Sequence, residues 1–204
     1  MTHTNKVGRV MERFEQLYQR GITPWTEHGM EPEIPALADL LLERIAEPVL
    51  LDIGCGNGWT SIYFAKRGIA VKGIDSSPTA IVAAQEKAKR ARLEQVIHFE
   101  VGDGLALPYV SSTFDAVFDR GFFHHVPIQQ YEQYIFEVSR VLTSKGLLSL
   151  HAFTPRTGVG EYRFERDDIE RIFGEHFVIL QESYDPWPTD APAHLGHYLL
   201  ERRI

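Results

Sequence analysis

The feature that most constrains the fold is a run of three alternating glycines placed directly after a short apolar segment. The apolar segment is Val49-Leu50-Leu51, and the run that follows is Asp52-Ile53-Gly54-Cys55-Gly56-Asn57-Gly58. Glycines adopt backbone dihedral angles that other residues avoid, and they let a ligand approach main-chain N–H groups. A helical pattern resumes at Trp59, so the loop precedes a helix N-terminus, which favours a negatively charged ligand group. The spacing therefore predicts a nucleotide-like binding loop between a buried strand and a helix.

Two other classes of glycine loop fit this chain less well. A dinucleotide-binding loop has the pattern Gly-x-Gly-x-x-Gly, whose third glycine allows close packing of the helix on the strand. Trp59 stands at that third position and is too bulky for this packing. The lysine of a phosphate-binding P-loop is also missing. An NAD(P)-dependent oxidoreductase is therefore kept as an alternative but is disfavoured.

The rest of the chain alternates between strand and helix patterns. Strands are predicted at 49–53, 69–74, 96–101, 114–119, 146–153, 177–184 and 197–203, and helices at 8–20, 34–46, 59–67, 78–92, 130–142 and 165–174. This alternation predicts an α/β fold, a doubly wound Rossmann-like sheet that is mostly parallel. Residues 185–192 contain three prolines and cannot form the crossover helix that parallel pairing needs. The last two strands are therefore expected to pair antiparallel.

Four motifs in this order resemble those of the class I S-adenosylmethionine-dependent methyltransferases. They are the glycine run at 52–58, Asp75 after the second strand, Asp103 after the third, and Phe114–Arg120 around the fourth. In that family the second acid binds the ribose hydroxyls and the third reaches the adenine amino group. The resemblance implies S-adenosylmethionine as cofactor, seven strands in the order 3-2-1-4-5-7-6, and an antiparallel last strand. It assigns cofactor contacts to Trp25, Asp52, Gly54, Cys55, Gly56, Asn57, Gly58, Asp75, Ser76, Asp103, Gly104, Asp119 and Arg120.

Several of these residues also have a purely structural interpretation. Asp75 precedes Ser76-Ser77-Pro78 and could cap the next helix, although Ser77 can do so without help. Asp103 lies in a Gly-Asp-Gly sequence that could be a plain turn. Asp52 can hold the loop N–H groups as well as orient the methionine end of the ligand. Cys55, between two glycines, is interpreted as a small packing residue and not as a nucleophile.

The segment before the glycine run resembles the thiopurine, thiol and tellurite branch of the family. Tyr18–Trp25, followed by Glu31-Pro32-Glu33-Ile34, contains the Pro-Trp element found there. Residues 1–33 are accordingly expected to form an N-terminal helical lid. The Trp25 indole either lies near the sulfonium or substrate, where a cation–π contact is favourable, or anchors the N-terminal arm on the core.

Two adjacent histidines follow the fourth predicted strand. His124 and His125 point in different directions on a helical turn, so at most one is expected to face a substrate. A neutral histidine is a suitable general base for an oxygen or nitrogen acceptor near pH 7. A thiolate, selenide or telluride acceptor would need no base. Alternatively, one histidine bonds the backbone and the other is partly exposed. No metal is expected, because the nine histidines show no metal-binding spacing.

Composition limits the remaining possibilities. The 204 residues are expected to form a single methyltransferase domain, with the catalytic core at 34–204. No apolar stretch approaches the roughly 20 residues of a membrane span, and the first residues lack the apolar region of a secretory signal, so a cytoplasmic location is expected. The formal net charge of −7 disfavours a nucleic-acid partner.

The function expected from the sequence is methyl transfer from S-adenosylmethionine to a small-molecule acceptor such as a thiol, a thiopurine or a chalcogen compound. A bulky arm over the strand ends leaves little room for a macromolecule. A protein that binds the nucleoside but methylates nothing is the third hypothesis. The oligomeric state, monomer or dimer, is left open.

Overall fold

The structure is a computed structural model that describes residues 5–26, 30–155, 163–184 and 195–204. The proline-rich segment 185–192, from which the antiparallel pairing was predicted, lies outside these ranges. The chain divides into two compact units, Met1–Ala106 and Leu107–Ile204. The sequence-based expectation of one domain, with a lid at 1–33, stays a prediction.

The helices and strands alternate as the sequence predicts. The α-helices are α1 (Asn5–Gln19), α2 (Glu33–Arg44), α3 (Trp59–Lys66), α4 (Pro78–Arg90), α5 (Tyr131–Val141) and α6 (Arg166–Phe173). The strands are β1 (Val49–Ile53), β2 (Ala70–Asp75), β3 (Ile97–Val101), β4 (Phe114–Arg120), β5 (Leu142–Phe153), β6 (Phe177–Tyr184) and β7 (Leu195–Arg202). Short 3₁₀ turns cover Pro24–Thr26, Phe123–His125 and Ile128–Gln130.

The seven strands form one sheet with the order β3-β2-β1-β4-β5-β7-β6. Strand β7 pairs antiparallel with both β5 and β6, whereas the pairs β1–β2, β2–β3 and β4–β5 are parallel. The predicted fold class, the strand order and the reversed final strand are confirmed. An all-parallel dinucleotide fold does not have this reversal.

In the first unit, local sequence signals determine where α1 ends and where α4 begins. Gly21 has a φ of 66°, and its N–H donates to the carbonyl of Tyr18 while the Ile22 N–H donates to that of Leu17. This is the Schellman pattern, which ends a helix and reverses the chain. At the start of α4, the Ser77 hydroxyl accepts the Ala80 N–H at 3.0 Å. The predicted Ser77 cap is therefore confirmed.

In the second unit, β5 begins four residues earlier than its predicted start at 146. Residue Leu142 pairs with Phe114, but Leu147 pairs with Ala116, so the longer strand contains a bulge. Lys145 in this bulge has a φ of 60°. This is a left-handed conformation that the neighbouring residues in the sequence do not predict. The predicted strand boundary was wrong because the bulge depends on pairing with β4.

The described ranges contain neither a candidate membrane-spanning helix nor a candidate metal site. None of the helices there is both long and apolar enough to cross a membrane. Among the same residues, no group of three or more His, Cys, Asp or Glu side chains is arranged to hold a metal ion.

Candidate cofactor site

The glycine loop is tied to the end of the neighbouring strand. Gly54, Gly56 and Gly58 have φ angles of 68°, 53° and 75°, which are left-handed conformations suited to glycine. The N–H groups of Gly54 and Cys55 both donate to the carbonyl of Ile74, at 2.8 and 3.1 Å. The loop therefore turns at the carboxyl ends of two parallel strands, the position at which ligands bind in sheets of this type.

Asp75, the acid predicted to bind ribose, is part of this arrangement. Its Oδ2 accepts the Gly56 N–H at 2.9 Å and its Oδ1 accepts the Ser77 N–H at 2.8 Å. Burial raises the pKa of Asp75, and the two N–H donors partly oppose that change. A carboxylate has about four acceptor positions, so the group can still accept hydrogen bonds from a diol. The cap interpretation and the ligand interpretation are thus compatible.

Asp52, near the end of β1, and Cys55, in the glycine loop, are both buried. Asp52 accepts a hydrogen bond from the Ser61 hydroxyl on α3 at 2.5 Å, which ties β1 to that helix. Burial raises the pKa of the Cys55 thiol, and the charges of Asp52 and Asp75 raise it further. A thiol held in its neutral form is a poor nucleophile. This agrees with the interpretation of Cys55 as a packing residue.

The other predicted cofactor residues of this unit differ in exposure. Asn57 is half-buried and Gly104 is buried, whereas Asp103 is exposed. The Asp103 Oδ1 accepts the Leu105 N–H at 2.9 Å, as in the plain turn considered above. The adenine contact of Asp103 stays a prediction. The Ser76 hydroxyl lies 3.0 Å from the Met11 sulfur, so α1 covers this predicted ribose-side residue.

Tyr18 was not predicted as a site residue, yet its hydroxyl lies next to Gly56 at the centre of the glycine loop. A Cβ placed on Gly56 would be 2.5 Å from the Tyr18 hydroxyl. Burial raises the pKa of Tyr18, and the negative charge of Asp75 adds to the effect. In the sequence Tyr18 reads as one apolar position of an amphipathic helix. Its proximity to Gly56 results from the packing of α1, which no local sequence pattern predicts.

Trp25 contacts two aromatic residues of α1. Its indole N–H donates to the Tyr18 hydroxyl at 3.1 Å. Its ring packs edge-on against Phe14 and Tyr18, with centroid distances of 5.2 and 5.6 Å. These contacts support the anchoring interpretation of Trp25. A direct contact with the sulfonium stays a prediction.

In the second unit, Asp119 organises the turn that follows β4. The side chain is fully buried, and its oxygens accept the N–H groups of Phe122 and Phe123 and the Tyr134 hydroxyl. Burial raises the pKa of Asp119 to about 6 despite these donors. Arg120, the last residue of β4, is half-buried. Asp119 thus has a structural task, and a cofactor contact by Asp119 or Arg120 stays a prediction.

The two candidate bases occupy different environments. His124 is buried, its ring stacks on Phe153 at 3.7 Å, and its Nδ1 lies 3.2 Å from the Phe153 N–H, which it accepts. Burial is the main reason why the pKa of His124 is lowered, and the neighbouring His125 and Arg120 lower it further. His125 is half-buried and touches His124 edge-on. The arrangement corresponds to the alternative in which one histidine bonds the backbone and the other is partly exposed.

A second histidine pair lies on neighbouring strands. The Nδ1 atoms of His151 and His197 are 2.8 Å apart, and the Ser149 hydroxyl lies 3.2 Å from His151 Nε2. All three side chains are buried. Sequence reasoning missed this chain of polar groups, because it depends on the register of β5 with β7.

Part of the sequence matches the model of a known protein domain. Residues 50–146 match the model of a methyltransferase domain. The chain is 46% identical over 93 residues to norajmaline N-methyltransferase of Rauvolfia serpentina, which is 45% of this chain and 31% of that protein. It is 36% identical over 161 residues to 27-O-demethylrifamycin SV methyltransferase of Amycolatopsis mediterranei (strain S699), which is 73% of this chain and 58% of that protein. The chain thus spans less than two thirds of the length of either relative.

The fold matches that of a solved methyltransferase. The structure of 1,6-didemethyltoxoflavin-N1-methyltransferase from Burkholderia thailandensis, with S-adenosylhomocysteine bound, aligns with a TM-score of 0.81 at 19% identity. The alignment covers 100% of this chain and 92% of that one. The left-handed glycines and the acceptor capacity of Asp75 fit S-adenosylmethionine, whose ribose needs a carboxylate and whose methionine end needs an open loop. Residues 50–146 of this chain thus resemble a methyltransferase domain, and the fold is that of a solved methyltransferase.

Proposed function

We propose that the protein transfers a methyl group from S-adenosylmethionine to a small-molecule acceptor and releases S-adenosylhomocysteine. The observation that carries this proposal is the bond between Gly56 and Asp75, because it joins the loop and the acid that the cofactor would contact. A lone pair of the acceptor displaces the sulfonium sulfur from the methyl carbon. An alcohol or amine acceptor also loses a proton, whereas a thiolate does not.

The relatives support a small acceptor. One is named for norajmaline and the other for 27-O-demethylrifamycin SV, and both names specify a small molecule. Neither name points to the thiol, thiopurine or chalcogen acceptor expected from the Pro-Trp segment, so that finer assignment stays a prediction. We favour an oxygen or nitrogen acceptor, and a general base is then needed. His125 is the better candidate, because His124 uses its Nδ1 to accept a backbone N–H.

Two measurements test this proposal. Calorimetry with S-adenosylmethionine, S-adenosylhomocysteine and NADH should give binding of the first two and none of the third. A turnover assay should then compare phenols, alcohols, amines, thiols, thiopurines and chalcogen oxyanions under the same conditions. Methylation of an alcohol, phenol or amine supports the proposal, and methylation of thiols or chalcogens alone restores the earlier expectation.

The same measurements separate the alternatives. Tight binding of NADH would favour an oxidoreductase, although the antiparallel β7 already disfavours that fold. Cofactor binding without turnover on any acceptor would indicate a non-catalytic binding protein. From the formal net charge of −7 we also expect no nucleic-acid partner, and a native mass measurement would decide between monomer and dimer.

A further inference from the structure

One face of α1 contacts the segment that contains the predicted ribose site. Met11, Glu15 and Tyr18 are spaced four and three residues apart, so their side chains lie on the same face of the helix. Met11 contacts Ser76, and Tyr18 approaches Gly56. Glu15, between them, contacts the start of α4. The helix therefore lies over residues on both sides of Asp75.

Glu15 makes the most extensive of these contacts. Its carboxylate accepts hydrogen bonds from the Ser77 hydroxyl at 2.5 Å, the Thr79 hydroxyl at 2.6 Å and the Thr79 N–H at 3.3 Å. These donors lower the pKa of Glu15, with the Ser77 hydroxyl as the largest cause. The N-terminus of α4 also favours a negative charge at this place. Glu15 therefore stays ionised and ties α1 to α4.

Tyr18 follows Glu15 by almost one helical turn. Because α1 is a continuous helix, the place where Glu15 binds also determines where the Tyr18 hydroxyl lies. That hydroxyl lies next to Gly56 and accepts a hydrogen bond from the Trp25 indole N–H. A ligand that reaches both the glycine loop and Asp75 must contact Tyr18 or displace it. The stability of the Glu15 contacts then affects how quickly such a ligand leaves.

We propose that Glu15 is a positioning residue for the cofactor, which holds α1 closed over Gly56 and Asp75 and thereby slows cofactor release. The proposal rests on the proposed function, because it assumes that S-adenosylmethionine binds at these residues. Glu15 does not touch the reacting atoms in this role. It acts through Tyr18 and through the helix that carries both residues.

The test compares two charge-neutral variants of the same helix. Glu15→Gln keeps the size of the side chain but loses its charge and one of its acceptor oxygens, and Glu12→Gln changes the charge equally at an exposed position. S-adenosylhomocysteine should dissociate from Glu15→Gln about 5- to 30-fold faster than from wild type, the scale of a single lost hydrogen bond. The rate for Glu12→Gln should equal that of wild type. Equal rates in both variants would overturn the proposal.

A second variant guards against a folding defect in the first. Thr79→Val removes one hydroxyl donor to Glu15 and keeps the shape of the side chain. Thr79→Val should also speed the dissociation of S-adenosylhomocysteine. In the double variant with Glu15→Gln, the rate should rise by less than the product of the two single fold-changes. Fully multiplicative effects would mean that Thr79 and Glu15 act separately, which contradicts the proposal. The thermal midpoint of each variant shows whether a rate change merely follows lost stability.

Amide exchange without cofactor separates this proposal from the proposed function. If α1 is held by Glu15, exchange in residues 11–19 is faster in Glu15→Gln than in Glu12→Gln. If wild type fails to bind S-adenosylhomocysteine, the proposed function fails whatever the exchange shows. If wild type binds but exchange in α1 is the same in both variants, Glu15 does not hold the helix and the present inference fails alone.

Discussion

The carboxylate of Asp75 accepts the main-chain N–H of Gly56 at 2.9 Å, across 19 residues of sequence. The middle of the glycine loop and the end of β2 are therefore held together by one side chain. Asp75, which the sequence suggested either as a ligand-binding acid or as a helix cap, thus also shapes the glycine loop next to it. Substitution of Asp75 is expected to change both cofactor affinity and stability.

Asp75→Asn should weaken S-adenosylhomocysteine binding by roughly 1.5–3 kcal/mol, the scale of lost charged hydrogen bonds. The amide keeps one acceptor oxygen but places an NH₂ group against the N–H of either Gly56 or Ser77. We therefore also expect the free energy of unfolding to fall by about 1–3 kcal/mol. Calorimetry and denaturant titration measure the two effects. Glu94→Gln, at an exposed position of the same unit, is the control, and unchanged affinity in Asp75→Asn would refute the ribose assignment.

Gly56→Ala should be destabilising for two separable reasons. The new Cβ would lie 2.5 Å from the Tyr18 hydroxyl, and the φ of 53° is unfavourable for alanine. Tyr18→Phe removes the hydroxyl, and the nearest remaining Tyr18 atom, Cζ, is 3.6 Å away. The double variant should therefore recover part of the lost stability and retain about 1–2 kcal/mol of backbone strain. Denaturant titration of the four proteins measures the coupling, and strictly additive effects would show that Tyr18 does not lie over Gly56.

The pKa of Asp119 predicts a pH dependence of stability. The pKa is about 6 in the folded protein and 3.8 as the ordinary value, so the folded state holds the proton more tightly. The free energy of unfolding should therefore fall as the pH rises from about 4 to 6, by up to about 3 kcal/mol in total. Above about pH 6 the deprotonated, buried Asp119 lowers the free energy of unfolding by this full amount.

Asp119→Asn should lose this part of the pH dependence, while Asp167→Asn, an exposed carboxylate on α6, should keep it. Unfolding curves at half-unit intervals between pH 4 and 7 would measure the difference between each variant and wild type. An identical slope in Asp119→Asn and wild type would show that Asp119 does not titrate in this window.

The adjacent histidines should respond differently to the same substitution. His124→Ala removes a ring stacked on Phe153 and the acceptor of the Phe153 N–H, so the free energy of unfolding should fall by about 2–4 kcal/mol. His125→Ala, at a half-buried position, should change it by less than about 1.5 kcal/mol.

The pH profile of methyl transfer then tests the base assignment. If His125 is the base, His125→Gln should lower kcat and remove the acidic limb of the profile, while His124→Gln keeps that limb. A profile that is unchanged by His125→Gln would mean that the acceptor needs no base from this segment.

The sequence alone determined the fold class and the main elements of the glycine loop. Strand and helix patterns, the glycines at 54, 56 and 58, and the Ser77 cap are local signals, because each depends on a few neighbouring residues. The reversal of β7 was also predictable, since a proline-rich connection cannot form a crossover helix. The position of Asp75 at the end of β2 followed from the same periodicity.

The tertiary structure decided which side chains meet at these elements. Glu15 reaches Ser77 across 62 residues, and Tyr18 approaches Gly56 across the space between α1 and the loop. No local pattern specifies such a contact, because it depends on how a helix face packs against a distant strand end. The bulge at Lys145 and the backbone bond of His124 likewise depend on strand pairing and on burial. The sequence thus predicted the place where a ligand is expected to bind, whereas packing decided which residues cover that place and which histidine remains partly exposed.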